Sequence, residues 1–334
     1  MIKEAIKILL KNKDLQPQEM QAVISDILSG VTDTADIVEF LTCLNNKGET
    51  AQEITAAVEA MLKYVDPIIV DRPNILDTCG TGADKKGTFN ISTITAFVAS
   101  GAGVCVAKHG NRSVSSKCGS ADILEALGVN INMDKEKIKK CLEEIGIAFL
   151  FAPNLHPAMK HVMPARKLIN QKTIFNILGP LINPARATNQ LIGVYAQGWI
   201  KTLTQVLHNL GTKHVLVVHG ADGLDEVTTA DKTFISEAVG GEFKDYEIVP
   251  QDFGFKGSSL KDLLGGDIKE NVNIALGVLN GIKGPKRDIV LLNAGCAIYA
   301  ADKAKSIKEG ISLAEESIDS KAALNKLQML KEYA

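Results

Sequence analysis

Five short segments carry residue types and spacings that could do chemistry. The first is Asp77-Thr-Cys-Gly-Thr-Gly-Ala-Asp84, which runs from an apolar stretch into a glycine-rich turn. Gly80 and Gly82 permit φ > 0 and let the backbone approach a ligand closely. Successive N–H groups in such a turn form a nest for an anion. Neither common nucleotide motif fits. A dinucleotide fingerprint needs Gly at position 85, which is Lys, and a P-loop needs Gly-Lys-Ser/Thr, whereas Gly87 is followed by Thr88. By itself the segment also reads as a tight strand–helix connection.

The second segment, Thr88-Phe-Asn-Ile-Ser-Thr93, opens the next helix. Its hydroxyls and amide can cap that helix, or bind phosphate with the free N–H groups at its positive end. Asn90, Ser92 and Thr93 together exceed what capping needs. The third, Lys108-His-Gly-Asn-Arg-Ser-Val-Ser-Ser116, follows a further apolar strand, and Lys117 and Ser120 extend it. Strand C-terminal ends are where open α/β sheets bind ligands. Lys108 and Arg112 supply cations, Asn111 and the serines hydrogen bonds, and Gly110 backbone freedom. His109 alone reads as structural. The fourth, Asp225-Glu226, joins two carboxylates that need positive charge nearby. Mg²⁺ takes such carboxylates together with phosphate oxygens. The fifth is Arg166. On its own it is a surface residue of a helix, but it could clamp a carboxylate with two parallel bonds.

The elements that must position these residues are read from periodicity. Residues 1 to 65 show helical spacing only, in IKEAIKILL, MQAVISDIL, ADIVEFLTCL and ITAAVEAMLKYV. Pro17 suits a first helical turn, Gly30 and Gly48 suit helix ends, and Thr50 with Glu53 suits a capping box. From Pro73 onward short apolar strands (NILDTCG, GVCVAKHG, IAFLFAP, LIGVYA, HVLVVHG) alternate with helices. That alternation means a mainly parallel sheet covered on both faces. Residues 227–255 are more β-rich, and the end from Asp302 is helical and charged. The reading is a small N-terminal helical domain, 1–70, and a larger α/β domain, 71–334. The irregular stretch 156–185 crosses between them and packs in part on the helices.

With 334 residues, 46% apolar, the chain has enough for a sizeable core in about two domains. Its net charge of −2 argues against a dedicated nucleic-acid binder. The six cysteines (43, 79, 105, 118, 141 and 296) form no CxxC pair for zinc, and disulfides are not expected. The start MIKEAIKILLKNKD has no uninterrupted apolar core of a signal peptide, and no apolar run of about 18 residues spans a membrane. A cytoplasmic protein is expected.

The segments together resemble the anthranilate phosphoribosyltransferase family, with its nucleoside phosphorylase-like fold. The resemblance rests on DTCGTGADKKGTFNIST, VAKHGNRSVSSKCGSADILEALG, HPAMKHVMPARKL, the RTIFNILGPL-like QKTIFNILGPLINPA and VHGADGLDEVT. It implies transfer of the phosphoribosyl group of phosphoribosyl pyrophosphate (PRPP) to the amino group of anthranilate, a step of tryptophan biosynthesis. It implies a PRPP site made by Gly80, Ala83, Asp84, Thr88, Asn90, Ile91, Ser92 and Thr93. Lys108, His109, Gly110, Asn111, Arg112, Ser113, Val114, Ser115, Ser116 and Ser120 would complete it. Gly80, Asn111 and Arg166 would hold anthranilate, and Ser92, Asp225 and Glu226 would hold Mg²⁺. No residue is implied as acid, base or nucleophile; Lys108 and Arg166 would act electrostatically. A homodimer through the N-terminal helices is implied as well.

One departure stands out. The family's loop reads GTGGD, and here it is GTGAD. Because a methyl group strains a left-handed residue, Ala83 is expected at φ < 0, or the loop displaced. A pyrimidine nucleoside phosphorylase shares the architecture, but KHGNR and NILGPLINP favour the transferase. A nucleic-acid-binding relative would show a basic excess and lack Asp-Glu or KHGNR.

Overall fold

The computed structural model describes residues 1–113 and 118–333. Four helices come first: α1 (Ile2–Leu9), α2 (Pro17–Ser29), α3 (Thr34–Lys47) and α4 (Ala51–Leu62). Pro17 occupies the first turn of α2, and Gly30 ends it at φ +79°. Thr50 and Glu53 form the capping box of α4. Glu53 is fully buried and also accepts from the Leu15 N–H and the Lys47 ammonium, so the cap ties α4 to two other parts of the bundle.

The larger unit is built on one seven-stranded sheet: β1 (Ile75–Gly80), β2 (Cys105–Gly110), β3 (Ile147–Phe151), β4 (Asn189–Gly193), β5 (His214–Gly220), β6 (Thr233–Val239) and β7 (Glu242–Ile248). The order is β3-β2-β1-β4-β5-β6-β7. The first five strands are parallel; β6 and β7 add an antiparallel hairpin. Its turn is Gly240-Gly241, both left-handed, which matches the strand twist in a two-residue loop. The irregular β-rich stretch of the sequence is this hairpin.

One face of the sheet packs on α5 (Ile91–Gly101), the helix Pro285–Ala300 and the C-terminal helices. The other face is continuous with the bundle. Ile192, Val194, Val215 and Val217 share one apolar cluster with α1–α4 and with Val162, Ala165, Ile174 and Phe175 of the crossing stretch. The helix Met163–Leu168 packs on α3. Among the described residues no helix is long and apolar enough to cross a membrane.

Strand order matters for function. The chain winds from β1 out to β3, then returns to place β4 on the other side of β1. Ligands bind outside the C-terminal ends of the strands at such a switch point. The loops after β1, β2, β4 and β5 open there.

The opposite end of the sheet is locked by a buried ionic cluster. The His214 ring faces Asp302 through Nδ1 (2.8 Å) and Glu237 through Nε2 (2.9 Å), and Tyr246 and Tyr299 donate to Glu237. A ring with a carboxylate on each nitrogen needs both protons. The two carboxylates overcome burial and raise His214, while the His214, Tyr299 and Tyr246 bonds outweigh burial and lower Glu237. The stabilisation from His214 is complete below about pH 6.5 and is lost as pH rises through its folded pKa. That from Glu237 is present above about pH 4.3 and is lost in more acid solution. The Tm of the protein should therefore fall from pH 6 to pH 9 more steeply than that of His214→Gln. Parallel Tm profiles would refute the charge on His214.

Candidate active site

Asp225 is the centre of the site, and glycines make room for it. Gly80 and Gly193 end adjacent strands as register partners. A Cβ on Gly80 would stand 2.7 Å from Asp225 Oδ2, and one on Gly193 would overlap the Asp225 carbonyl oxygen. Gly80 is thus required for close approach and not for the left-handed conformation that the sequence suggested, since its φ is not positive. The Gly82 N–H donates to Asp225 Oδ2 at 2.7 Å.

The glycine-rich loop corrects a second expectation. Ala83 has φ +63°, not φ < 0, and Gly82, Lys85 and Gly87 are also left-handed. Alanine there costs about 1 kcal/mol. The surroundings over-determine the loop. Lys172 Nζ donates to the Ala83 carbonyl at 3.2 Å, Asp84 accepts from the Lys86 N–H at 3.1 Å, and Thr81 donates to the Gly193 carbonyl. Thr88 bridges to Leu264 beyond it.

Asp84 lies beside Asp225, and its Oδ2 is buried with no partner among the described residues. Burial first, then Asp84, raise Asp225; burial and Asp225 raise Glu226. Glu226 accepts from the Ser92 N–H at the start of α5, where the helix dipole favours a carboxylate. No three carboxylate, imidazole or thiolate groups converge as a metal cage among the described residues. Two carboxylates with a serine hydroxyl suit Mg²⁺, a hard cation that fills its shell with substrate oxygens.

The N-terminus of α5 is left open. Asn90 stands at its N-cap without a side-chain cap; its amide donates to the Cys118 carbonyl instead. Asn90 Oδ1 and Thr93 Oγ1 are buried without partners among the described residues. The Ile91 side chain belongs to the core, so only its backbone is offered.

Lys108 and Arg112, both expected as cations of the site, are placed differently. Lys108 is buried, 4% exposed, and its ammonium donates to the Thr78 carbonyl (2.6 Å) and Ser92 Oγ (3.3 Å). Burial lowers its pKa, and Asp77 with Glu226 supports its charge. Arg112 is exposed, with its guanidinium on Asp122 and Glu125 of α6 (Ser120–Ala126). Asn111 O accepts from Ser120 Oγ, and the Ser113 N–H donates to Asp122. Gly110 again provides space: a Cβ there would meet Ser120 Oγ and the Phe149 ring. Val114, Ser115, Ser116 and Lys117 lie outside the described residues.

His109 is structural and neutral. Burial and His156 push it down to about 3, and burial alone takes His156 to about 4. The two rings meet Nε2 to Nε2 at 3.0 Å, and the Gly179 backbone partly offsets the lowering of His109. Arg166 lies on the helix Met163–Leu168, which packs against α3. Its guanidinium is part-buried, which lowers its pKa, and it has no hydrogen-bond or ion-pair partner among the described residues.

Spacing did not single out Asn183, Lys172, His156 or Gly193. Asn183 is 4% exposed and donates to Asp77 Oδ2 (2.7 Å) and the Ala107 carbonyl (2.8 Å), so the NPA turn pins β1 to β2. Its signal was its place in the LINPA segment. Lys172 had none.

Residues 72–324 match the family described as "Glycosyl transferase family, a/b domain", and residues 3–65 the "helical bundle domain" of the same name. The chain is 50% identical over 333 residues to an anthranilate phosphoribosyltransferase of Methanobrevibacter smithii, covering 100% of this chain and 99% of the relative. It is 48% identical to that of Acetivibrio thermocellus, covering 100% and 96%. Among solved structures, the Thermus thermophilus enzyme of that name superposes with a TM-score of 0.94 at 40% identity, covering 98% of both chains. The Saccharomyces cerevisiae enzyme in complex with PRPP and Mg does so at 0.91 and 30%, covering 99% of this chain and 97% of that one.

Proposed function

Since the chain belongs to the anthranilate phosphoribosyltransferase family, we propose how its site performs that family's reaction. The enzyme transfers the phosphoribosyl group of PRPP to the amino group of anthranilate and releases pyrophosphate, a step of tryptophan biosynthesis. Nucleoside phosphorolysis and nucleic-acid binding are not favoured. The observation that carries the reading is Asp225, seated between Gly80 and Gly193, bonded to the Gly82 N–H and flanked by Asp84 and Glu226.

The loop 82–87, left-handed at Gly82, Ala83, Lys85 and Gly87, and the open start of α5 present N–H groups and hydroxyls to the diphosphate and 5-phosphate of PRPP. Gly80, Ala83, Asp84, Thr88, Asn90, Ser92, Thr93, the 108–113 run and Ser120 line that site. Ser92, Asp225 and Glu226 hold Mg²⁺, which when bound neutralises charge on the leaving pyrophosphate. Lys108 adds fixed positive charge from below, without reorganising during reaction. Arg166 takes the anthranilate carboxylate, with Asn111 and the Gly80 backbone beside it. The attacking amine is uncharged, so no base need act before attack. His109 and His156 are accordingly held neutral, and burial keeps the Cys79 thiol protonated. Catalysis is positioning and electrostatics.

Loss of anthranilate fluorescence tests this. It should require both PRPP and Mg²⁺, and stop with EDTA; loss without PRPP would overturn the reading. Arg166→Ala should raise the anthranilate KM by about 100-fold, as expected for losing a charge-assisted pair, with the PRPP KM nearly unchanged. Equal rises would remove Arg166 from the anthranilate site.

We also propose that residues 1–70, with part of 156–190, form one unit and 71–334 the other, and that the protein is a cytoplasmic homodimer paired through the N-terminal helices. Exposed Leu10 and Val31 on the bundle support the pairing. Light scattering should give twice 35.8 kDa, and a monomer mass would exclude it.

A further inference from the structure

Lys172 belongs to the crossing stretch, yet its ammonium ends on the glycine-rich loop. Nζ donates to the Ala83 carbonyl at 3.2 Å and stands 3.2 Å from the centroid of the Tyr195 ring. Tyr195 is itself fixed: its N–H donates to Thr81 Oγ1, and the Trp199 indole donates to its hydroxyl. Partial burial and then Lys85 lower the Lys172 pKa, and Asp225 and Asp84 partly offset them. The ammonium therefore touches one fixed group, the Tyr195 ring, and one whose conformation is disfavoured, Ala83.

That disfavoured group is Ala83. A left-handed alanine prefers to relax to negative φ, which would rotate its carbonyl away and disperse the loop's N–H groups. A ligand that needs one loop shape binds more weakly in proportion to the time spent in others. A cation held over Tyr195 and bonded to the Ala83 carbonyl favours the left-handed shape alone.

We propose that Lys172 is a positioning residue for PRPP: it clamps the Ala83 carbonyl and holds the glycine-rich loop in its left-handed shape, so that the crossing stretch and the diphosphate loop order together. The proposal rests on the reading of that loop as the PRPP site. Lys172 need not touch the substrate. Its value depends on residue 83 bearing a Cβ, because glycine adopts the left-handed shape unaided.

Calorimetric titration of the full chain with PRPP and Mg²⁺, without anthranilate, tests this. The wild type must bind first; if it does not, the proposed function falls and the clamp is not at issue. Lys172→Met should weaken PRPP about tenfold, equivalent to ~1.4 kcal/mol. Lys172→Arg, which keeps the donor, should stay within about threefold. In Ala83→Gly, adding Lys172→Met should weaken PRPP by about twofold at most. At saturating PRPP, kcat of Lys172→Met should be nearly that of the wild type. Equal weakening in both backgrounds would mean direct action on substrate or metal, and would overturn the proposal, as would no weakening or a lowered kcat at saturation. If Lys172→Met does not fold, Lys172→Gln replaces it in the same cycle.

Discussion

Gly193→Ala is expected to lower kcat by about two orders of magnitude while leaving the protein folded. The new Cβ would overlap the Asp225 carbonyl oxygen and stand 3.2 Å from the Glu226 nitrogen. Both obstacles are backbone, which cannot swing aside like a side chain, so the 220–226 loop must move. Both proposed metal-binding carboxylates move with it, and a shift near 1 Å costs a positioned site about 100-fold. Overpacking at one strand end costs the fold only about 1–3 kcal/mol. Gly198→Ala is the control: nothing lies within 4 Å of the Cβ it would carry, and its backbone is helical. Turnover and far-UV circular dichroism decide the matter. A folded Gly193→Ala with wild-type turnover would show that the position of Asp225 and Glu226 is not critical.

Lys108→Met should lose both activity and stability. The methionine keeps the length and removes the charge. Asp77, buried and 0% exposed, would lose the cation that opposes its desolvation, and Glu226 would lose it too. Removing one partner of a buried ionic group costs about 3–5 kcal/mol, and the Tm should drop by several degrees. The loss is pH-dependent with a definite sign. Asp77 is already raised to about 6, burial being the main cause. Without Lys108 it rises further, so the folded variant binds its proton more tightly than the unfolded chain. An acid raised on folding contributes least destabilisation where it is protonated, and the penalty grows as pH increases. The Tm gap between wild type and Lys108→Met should therefore shrink below about pH 6 and widen toward pH 8. A constant gap would show that Asp77 and Glu226 do not depend on Lys108. Turnover should drop by about 100-fold or more, because Ser92 Oγ loses its donor and the site its fixed charge.

Much of the candidate site was legible in the sequence because its parts are local. Thr88–Thr93 follow a strand and open a helix, and the structure leaves that helix start uncapped by its own side chain. Asp225-Glu226 follow the strand HVLVVHG, and β5 delivers them to the switch point. The capping box at Thr50 and Glu53 was readable from spacing alone. What Glu53 also does, bonding Leu15 and Lys47, depends on how α4 packs and has no local signature.

Ala83 shows the limit of a sound local rule. Its intrinsic preference is for negative φ, and the structure overrides it with Lys172 from a segment 89 residues away. Arg112 and Lys108 show another limit. Both are cations in one motif, and only packing decides which faces water and which is buried under Ser92.

By itself, then, the sequence determined the kinds of element, their order along the chain and the chemistry available at each strand end, because periodicity, caps and turns depend on neighbours a few residues apart. Tertiary structure decided which groups meet. Asn183 reaches Asp77 across 106 residues, and Gly82 reaches Asp225 across 143. Such contacts depend on strand order and the return of β4 beside β1. The space they leave is set by packing, and packing makes Gly80 and Gly193 indispensable for want of a side chain.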